Sequence, residues 1–231
     1  MFKFTDLIDQ IQKQPSSLFA LIAVALFVIA IAVIKKVKFT TRIITQIAIM
    51  LALATVLDFF TLYKLPNGGS VTMGSMAPII LMALLYGPEV GLVTGFLYGI
   101  VSLITGPYIL HPVQVLFDYP LAFMALGLAG YIKKSNYITN LVAKLTKKDA
   151  SSKLVDSIVN TLAAIVGIFG RFVCAFISGI VFYASSAPEG TSPAIYSIIY
   201  NGSYLVPDAL IVIVILIILP YGQIKKTIKQ F

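Results

Sequence analysis

Residues 193–221 read PAIYSIIYNGSYLVPDALIVIVILIILPY, with one charged side chain, Asp208. A run of this length exceeds the roughly 20 residues that an α-helix needs to cross the hydrocarbon core of a bilayer. Six other apolar segments precede it, at about 17–34, 43–63, 71–86, 90–105, 109–131 and 155–183. Composition points the same way: 59% of the 231 residues are hydrophobic and 11% charged, against roughly a quarter charged in a soluble domain. A soluble fold of this size could not hide so much apolar surface, whereas lipid can cover it. The chain reads as an all-α integral membrane protein with no soluble domain of any size.

The third and fourth segments are short for full spans and rich in Gly and Pro, which predicts helices that are tilted, broken or partly buried in protein. Lysine and arginine set the expected orientation. Lys35, Lys36, Lys38 and Arg42 lie between the first two segments, Lys133, Lys134, Lys144, Lys147, Lys148 and Lys153 between the fifth and sixth, and Lys225, Lys226 and Lys229 after the seventh. With seven spans all three clusters share one side, the cytoplasmic one by the positive-inside rule. The C-terminus is then cytoplasmic and the N-terminus outside. The first segment does not read as a signal peptide: its apolar core, 18–34, is too long, Asp6 and Asp9 precede it, and Lys35-Lys36 follow at once. Residues 1–42 are thus expected to form an appended N-terminal helix with a basic loop, and residues 43–231 a six-helix membrane domain.

Several function classes are disfavoured. The net charge of +8 is spread between apolar runs, as in a membrane protein, rather than gathered for nucleic acid. One cysteine, Cys174, and one histidine, His111, cannot build an ordinary zinc site. No Gly-x-x-x-x-Gly-Lys-Ser/Thr string occurs, so the energy for any active transport would come from another subunit or an ion gradient.

Two small-residue stripes bear on packing. Gly91, Gly95 and Gly99 recur at every fourth position, and Ala48 and Ala52, with Ala54 nearby, do something similar on the second segment. Such spacing lets helix backbones approach closely in lipid, either within the chain or against a partner subunit.

Ionisable side chains inside a membrane cost on the order of 2.5–3.5 kcal/mol each at a span centre, so each should have a partner or a function. Here they are Asp58, Asp118, Arg171 and Asp208; Glu89, in a first helical turn after Pro88, suits the macrodipole. Arg171 could pair with one of the aspartates. His111, Gln114 and Asp118 share a face of a helix beginning near Pro112. A carboxylate beside the Tyr119 ring suits a cationic or hydrogen-bond-donating ligand, although a buried, internally satisfied Asp118 is an equal reading. Tyr196 and Asn201 open the last segment and can both reach a cavity at a helix mouth. Pro66-Asn-Gly-Gly-Ser70 reads as a turn whose adjacent glycines, Gly69 among them, let a loop pack tightly over a ligand.

Three long stretches, in order, carry a family resemblance: 65–99 with LPNGGSVT; 108–130 with HPVQVLFDYPLAFMALGLAG; and 170–207 with GRFVCAFISGIVFYASSAPEGTSPAIYSIIYNGSYLVP. Together they resemble the thiamine-specific S component (ThiT/YuaJ) family of energy-coupling factor (ECF) transporters. The resemblance implies a six-helix substrate-binding subunit that captures a vitamin from outside and works with a transmembrane coupling protein and two ATPases. It implies docking through the Ala-x-x-x-Ala stripe matched by Ala48 and Ala52. It implies ligand contacts from Asp118-Tyr119, from Tyr196 and Asn201, and from the aromatic position occupied by Tyr183. Two positions depart from the pattern: Ala175 stands where the family commonly has His, and Ala194 where it often has Trp. These departures leave a thiamine precursor or another heterocyclic vitamin as the alternative ligand. An intramembrane enzyme using His111 and Asp118 as an acid–base pair lacks a convincing nucleophile or metal, and an ion-coupled carrier lacks an obvious inverted repeat.

Overall fold

The structure, a computed structural model, describes residues 39–230 and two isolated earlier positions, 25 and 32. The first apolar segment, Lys35, Lys36, Lys38, the N-terminus and most of the 1–42 unit therefore lie outside the described residues. Four described helices are long and apolar enough to cross a membrane: α1 (Thr41–Phe59), α4 (Pro112–Lys134), α6 (Lys153–Phe182) and α7 (Pro193–Ile218). Two shorter apolar helices, α2 (Met76–Tyr86) and α3 (Pro88–Ser102), lie between α1 and α4. Two more, α5 (Asn136–Thr146) and α8 (Tyr221–Gln230), and a short 3-10 turn, Ala184–Ser186, are also among the described residues. The chain is thus a multi-pass, mainly helical membrane protein.

The short helices have a physical reason. α2 has 11 residues, a rise of about 16 Å, too little for a core about 30 Å thick. It does not meet lipid on its own: Met76 through Leu84 are all buried, and Ile79, Ile80 and Met82 form the centre of the core. Only Gly87 separates α2 from α3. Its φ of +98° favours a residue without Cβ, and Pro88 at the first helical position starts the next helix.

The glycine stripe is an internal seam. A Cβ at Gly95 would lie 2.1 Å from the Phe123 carbonyl oxygen, and one at Gly99 2.6 Å from Pro120 Cα. From the other side, a Cβ at Gly127 would lie 2.3 Å from the Leu92 nitrogen. α3 and α4 therefore touch backbone to backbone, and the partner-docking reading of this stripe falls away. Gly95→Ala is expected to lower the thermal unfolding temperature of the detergent-purified chain, at a cost of about 1–3 kcal/mol or more for overpacking. Gly222→Ala is the control, because a Cβ there meets nothing within 4 Å; equal melting of the two variants would refute the seam.

On α1 the small residues divide. Ala54 is fully buried, while Ala48 and Ala52 are exposed beside Ile49, Leu53 and Val56 on the outer face. The second apolar run, 43–63, is not all helix. α1 ends at Phe59, and Thr61–Lys64 form β1, paired antiparallel with β2 (Ser70–Thr72) in a small hairpin absent from the sequence reading.

The lysine-rich region 133–153, expected as a loop, contains α5. Ser135 caps it by accepting from the Ile138 nitrogen, and Val142 turns inward onto Val155 and Val159. At this end Lys133 pairs with Asp156, and Lys134 lies 3.9 Å from Glu89. Lys133 also sits 4.6 Å above the Tyr221 ring, whose hydroxyl donates to the Leu84 carbonyl at 2.8 Å. The lysines of 133–153 and of α8 thus gather at one end of the molecule.

Candidate functional site

At the opposite end the helices part around a cavity of about 580 Å³, inside the ~300–1,000 Å³ range of small-molecule sites. α4 forms one wall through an irregularity. Pro120, inside the helix, has no N–H to donate and its ring crowds the preceding turn. The backbone widens into a π turn over Phe117–Leu121, a feature that often marks functional positions. Asp118 and Tyr119 are on that turn, and both line the cavity.

Asp118 is held, not free. One carboxylate oxygen accepts from Gln114 Nε2 and, at 3.2 Å, from the Tyr183 hydroxyl. Gln114 is fully buried and also donates to the Tyr108 carbonyl at 3.1 Å, while its own carbonyl accepts from the Leu110 nitrogen at 3.0 Å. Tyr183, just past α6, stacks on Tyr108 with ring centroids 6.1 Å apart. The Tyr119 hydroxyl accepts from the Tyr108 nitrogen at 2.7 Å. Gln114, Asp118, Tyr183 and Tyr108 therefore form one cluster in which the carboxylate is oriented before any ligand arrives.

α7 supplies the facing wall. Tyr196, Tyr200 and Tyr204 follow one another at four-residue spacing, and all line the cavity with Asn201. Asn201 is buried and donates to the Ala175 and Ser197 carbonyls at 3.2 and 2.9 Å, while its own oxygen accepts from Tyr204 at 2.9 Å. It thereby ties α7 to α6. The hairpin loop covers this wall. The Tyr200 hydroxyl accepts from the Asn67 and Gly69 nitrogens, both at 3.1 Å, and the Asn67 amide donates to the Tyr196 hydroxyl at 3.1 Å. A Cβ at Gly69 would stand 2.6 Å from the Tyr204 ring, so only glycine allows this approach. Asp208 anchors the hairpin from below, accepting from the Thr72 nitrogen and hydroxyl at 3.1 and 3.0 Å; it is a structural carboxylate.

Residues 44–228 match the family described as thiamine transporter protein (Thia_YuaJ). The chain belongs to this family. It is 39% identical over 177 residues to the thiamine transporter ThiT of Bacillus subtilis (strain 168), covering 75% of this chain and 88% of the relative. With the thiamine transporter ThiT of Lacticaseibacillus paracasei it shares 32% identity over 165 residues, 68% of this chain and 78% of the relative. A solved structure of ThiT from Listeria monocytogenes superposes with a TM-score of 0.64 at 25% identity, covering 80% of this chain and 93% of that one. As a member of the thiamine transporter protein family the chain is a membrane transport protein and not an enzyme.

Of the positions expected to bind substrate, Asp118, Tyr119, Tyr183, Tyr196, Asn201, Gly69 and Ser70 line the same cavity in this family member. His111 does not. It caps α4, its Nδ1 accepting from the Val113 nitrogen at 3.1 Å, and stacks on Phe182. It therefore forms no acid–base pair with Asp118, and a residue flanking Pro at a helix start is readily taken up by capping. Among the described residues Arg171 makes no ion pair with an aspartate; its guanidinium lies 4.2 Å over the Phe123 ring. The sequence reading missed Gln114 as the residue that orients Asp118, and Tyr200 as the clasp on the hairpin. The four-residue spacing of the α7 tyrosines was a signal that could have found the second.

Proposed function

We propose that the chain is the substrate-binding S component of an ECF-type uptake transporter and that it binds thiamine in the cavity. The observation that carries this reading is the oriented Asp118 carboxylate facing an aromatic wall, inside a chain of the thiamine transporter protein family. Thiamine has an aminopyrimidine that donates hydrogen bonds and a thiazolium with fixed positive charge. Asp118 accepts from the first or neutralises the second, and Tyr119, Tyr183 and Tyr196 offer ring faces for stacking. Asn201 contributes chiefly by holding α6 and α7 at the right separation. Gly69 and Ser70 bring the hairpin over the ligand.

Calorimetry on the purified chain with thiamine, with its pyrimidine and thiazole halves, and with riboflavin as a control tests this. Binding of thiamine with 1:1 stoichiometry is expected. No heat with any thiamine-related compound, from folded protein, would refute the ligand.

The rest of the proposal follows from charge and surface. The cavity lies at the end away from the lysine clusters of 133–153 and the C-terminal helix, so the positive-inside rule turns it outward. The 133–153 region and the C-terminus are then cytoplasmic, and the N-terminus is outside. Residues 43–231 form the binding unit, with 1–42 as an appended helix. Energy comes from a coupling protein and two ATPases, which meet α1 at the exposed Ala48 and Ala52. A cysteine placed at Ser151 is expected to resist a membrane-impermeant thiol reagent in intact cells and to react once the membrane is opened. Labelling from outside would reverse the orientation.

A further inference from the structure

Helix α5 carries one apolar arc, and among the described residues only part of it is covered. Passing round the helix at about 100° per residue, the order is Val142 and Ile138, then Leu145, Leu141 and Tyr137, then Lys144 and Asn140. Val142 is buried against Val155 and Val159, with Ile138 packed beside it. The next three are exposed, Tyr137 at 77% and Leu145 at 74%, with Leu141 between them. Lys144 and Asn140 are exposed as well. The surface of α5 thus passes from protein, through an uncovered apolar stripe, to a polar edge. A helix standing in water gains nothing from such a stripe, whereas a helix lying in the surface of a bilayer buries it.

The level of α5 fits that seat. α6 has 30 residues, a rise of about 45 Å, against a hydrocarbon core about 30 Å thick. Part of α6 therefore stands outside the core. α5 packs on the first turns of α6, which hold Lys153, Asp156 and Asn160, and on the end of α4. Leu162, Ile165 and Phe169, exposed apolar residues of α6, lie further along that helix. Leu154, at the start of α6, adds one more exposed apolar group, and Tyr131, at the adjoining end of α4, is half exposed; tyrosine is favoured at the membrane–water boundary. Charge agrees. From Lys134 to Lys153 the chain has five lysines and one acidic residue, Asp149, and basic segments beside a membrane are drawn to anionic lipid.

We propose that α5 is an interfacial helix whose stripe of Tyr137, Leu141 and Leu145 seats in the headgroup layer of the adjoining leaflet, and that its lysines hold it there on anionic phospholipid. This seat goes beyond the thiamine reading and does not depend on it; only the choice of the cytoplasmic leaflet follows from the proposed orientation. Lipid suits the stripe better than a partner helix does. Close helix docking in a membrane uses small residues, while the stripe is made of Tyr and Leu. The proposed docking face, Ala48 and Ala52, is on α1, and α5 packs on α4 and α6 instead.

The test places single spin labels on the purified full chain, carrying Cys174→Ala, in nanodiscs of phosphatidylcholine with or without phosphatidylglycerol. Power saturation with oxygen and with a water-soluble nickel chelate reads the depth of each label. With phosphatidylglycerol present, labels at Leu141→Cys and Leu145→Cys are expected about 5–10 Å inside the headgroup–acyl boundary, and one at Asn140→Cys in water. Adding Lys144→Gln and Lys148→Gln, or leaving out phosphatidylglycerol, is expected to move the first two labels towards water. Water-exposed labels at 141 and 145 in both lipids would overturn the seat. A depth indifferent both to phosphatidylglycerol and to the lysine substitutions would overturn the anionic preference. Labels that are water-exposed with the chain alone and become protected only in the reconstituted whole transporter would make the stripe a protein interface and refute the lipid seat.

Discussion

Asp118→Asn is expected to weaken thiamine binding about ten- to a hundred-fold while the purified chain keeps its fold. The substitution is nearly isosteric, and the amide oxygen can still accept from Gln114 Nε2 and the Tyr183 hydroxyl, which both address one carboxylate oxygen. The local network survives and the charge does not. A hydrogen bond to a charged group contributes about 1.5–3 kcal/mol, and each 1.4 kcal/mol is about a factor of ten in affinity. The cavity strengthens this effect, because water screens the interaction less inside a protein than at its surface. Calorimetry gives the affinity and thermal unfolding the fold. Unchanged affinity in a well-folded variant would show that Asp118 only organises Gln114 and Tyr183 and does not face the ligand.

The second large effect separates binding from transport. Ala48→Leu or Ala52→Leu is expected to abolish thiamine uptake by cells carrying the whole transporter, with binding to the isolated chain nearly intact. Both alanines are exposed on α1, on the face away from the buried Ala54. Bulk there has no internal neighbour to displace, but it holds a partner helix several ångströms away, and close approach is what drives helix association in lipid. Ala54→Leu is the contrasting change: Ala54 is fully buried against the central core, so enlarging it should lower stability and binding together. If Ala48→Leu or Ala52→Leu destroyed binding as well, the α1 face would belong to the binding unit rather than to a docking surface.

Hydropathy by itself determined the class of this protein. A chain with 59% hydrophobic residues and long uncharged runs has one solvent that suits it, and backbone groups in that solvent must pair within helices. The asymmetry of its lysines set the expected sidedness, and the Asp118-Tyr119 and Tyr196…Asn201 strings pointed to residues that do line one cavity. These signals are local: each is carried by residue type and short-range spacing.

What the tertiary structure decided is everything that depends on which surface meets which. The same four-residue spacing of small residues became an internal seam at Gly95, where a Cβ would strike the Phe123 carbonyl at 2.1 Å, and an outward face at Ala48 and Ala52. Spacing brings backbones close but does not name the neighbour. The run 43–63 looked like one helix because its last residues are apolar, yet 61–64 became a strand through pairing with 70–72, a contact made across a turn. His111 and Asp118 share a sequence neighbourhood, but His111 is taken up by capping the helix start while Asp118 stands on the π turn and lines the cavity. Arg171 was open to pairing with three aspartates; packing placed its guanidinium on Phe123 instead. A side chain's partner is set by the positions of helices remote in sequence, and only the assembled bundle contains that information.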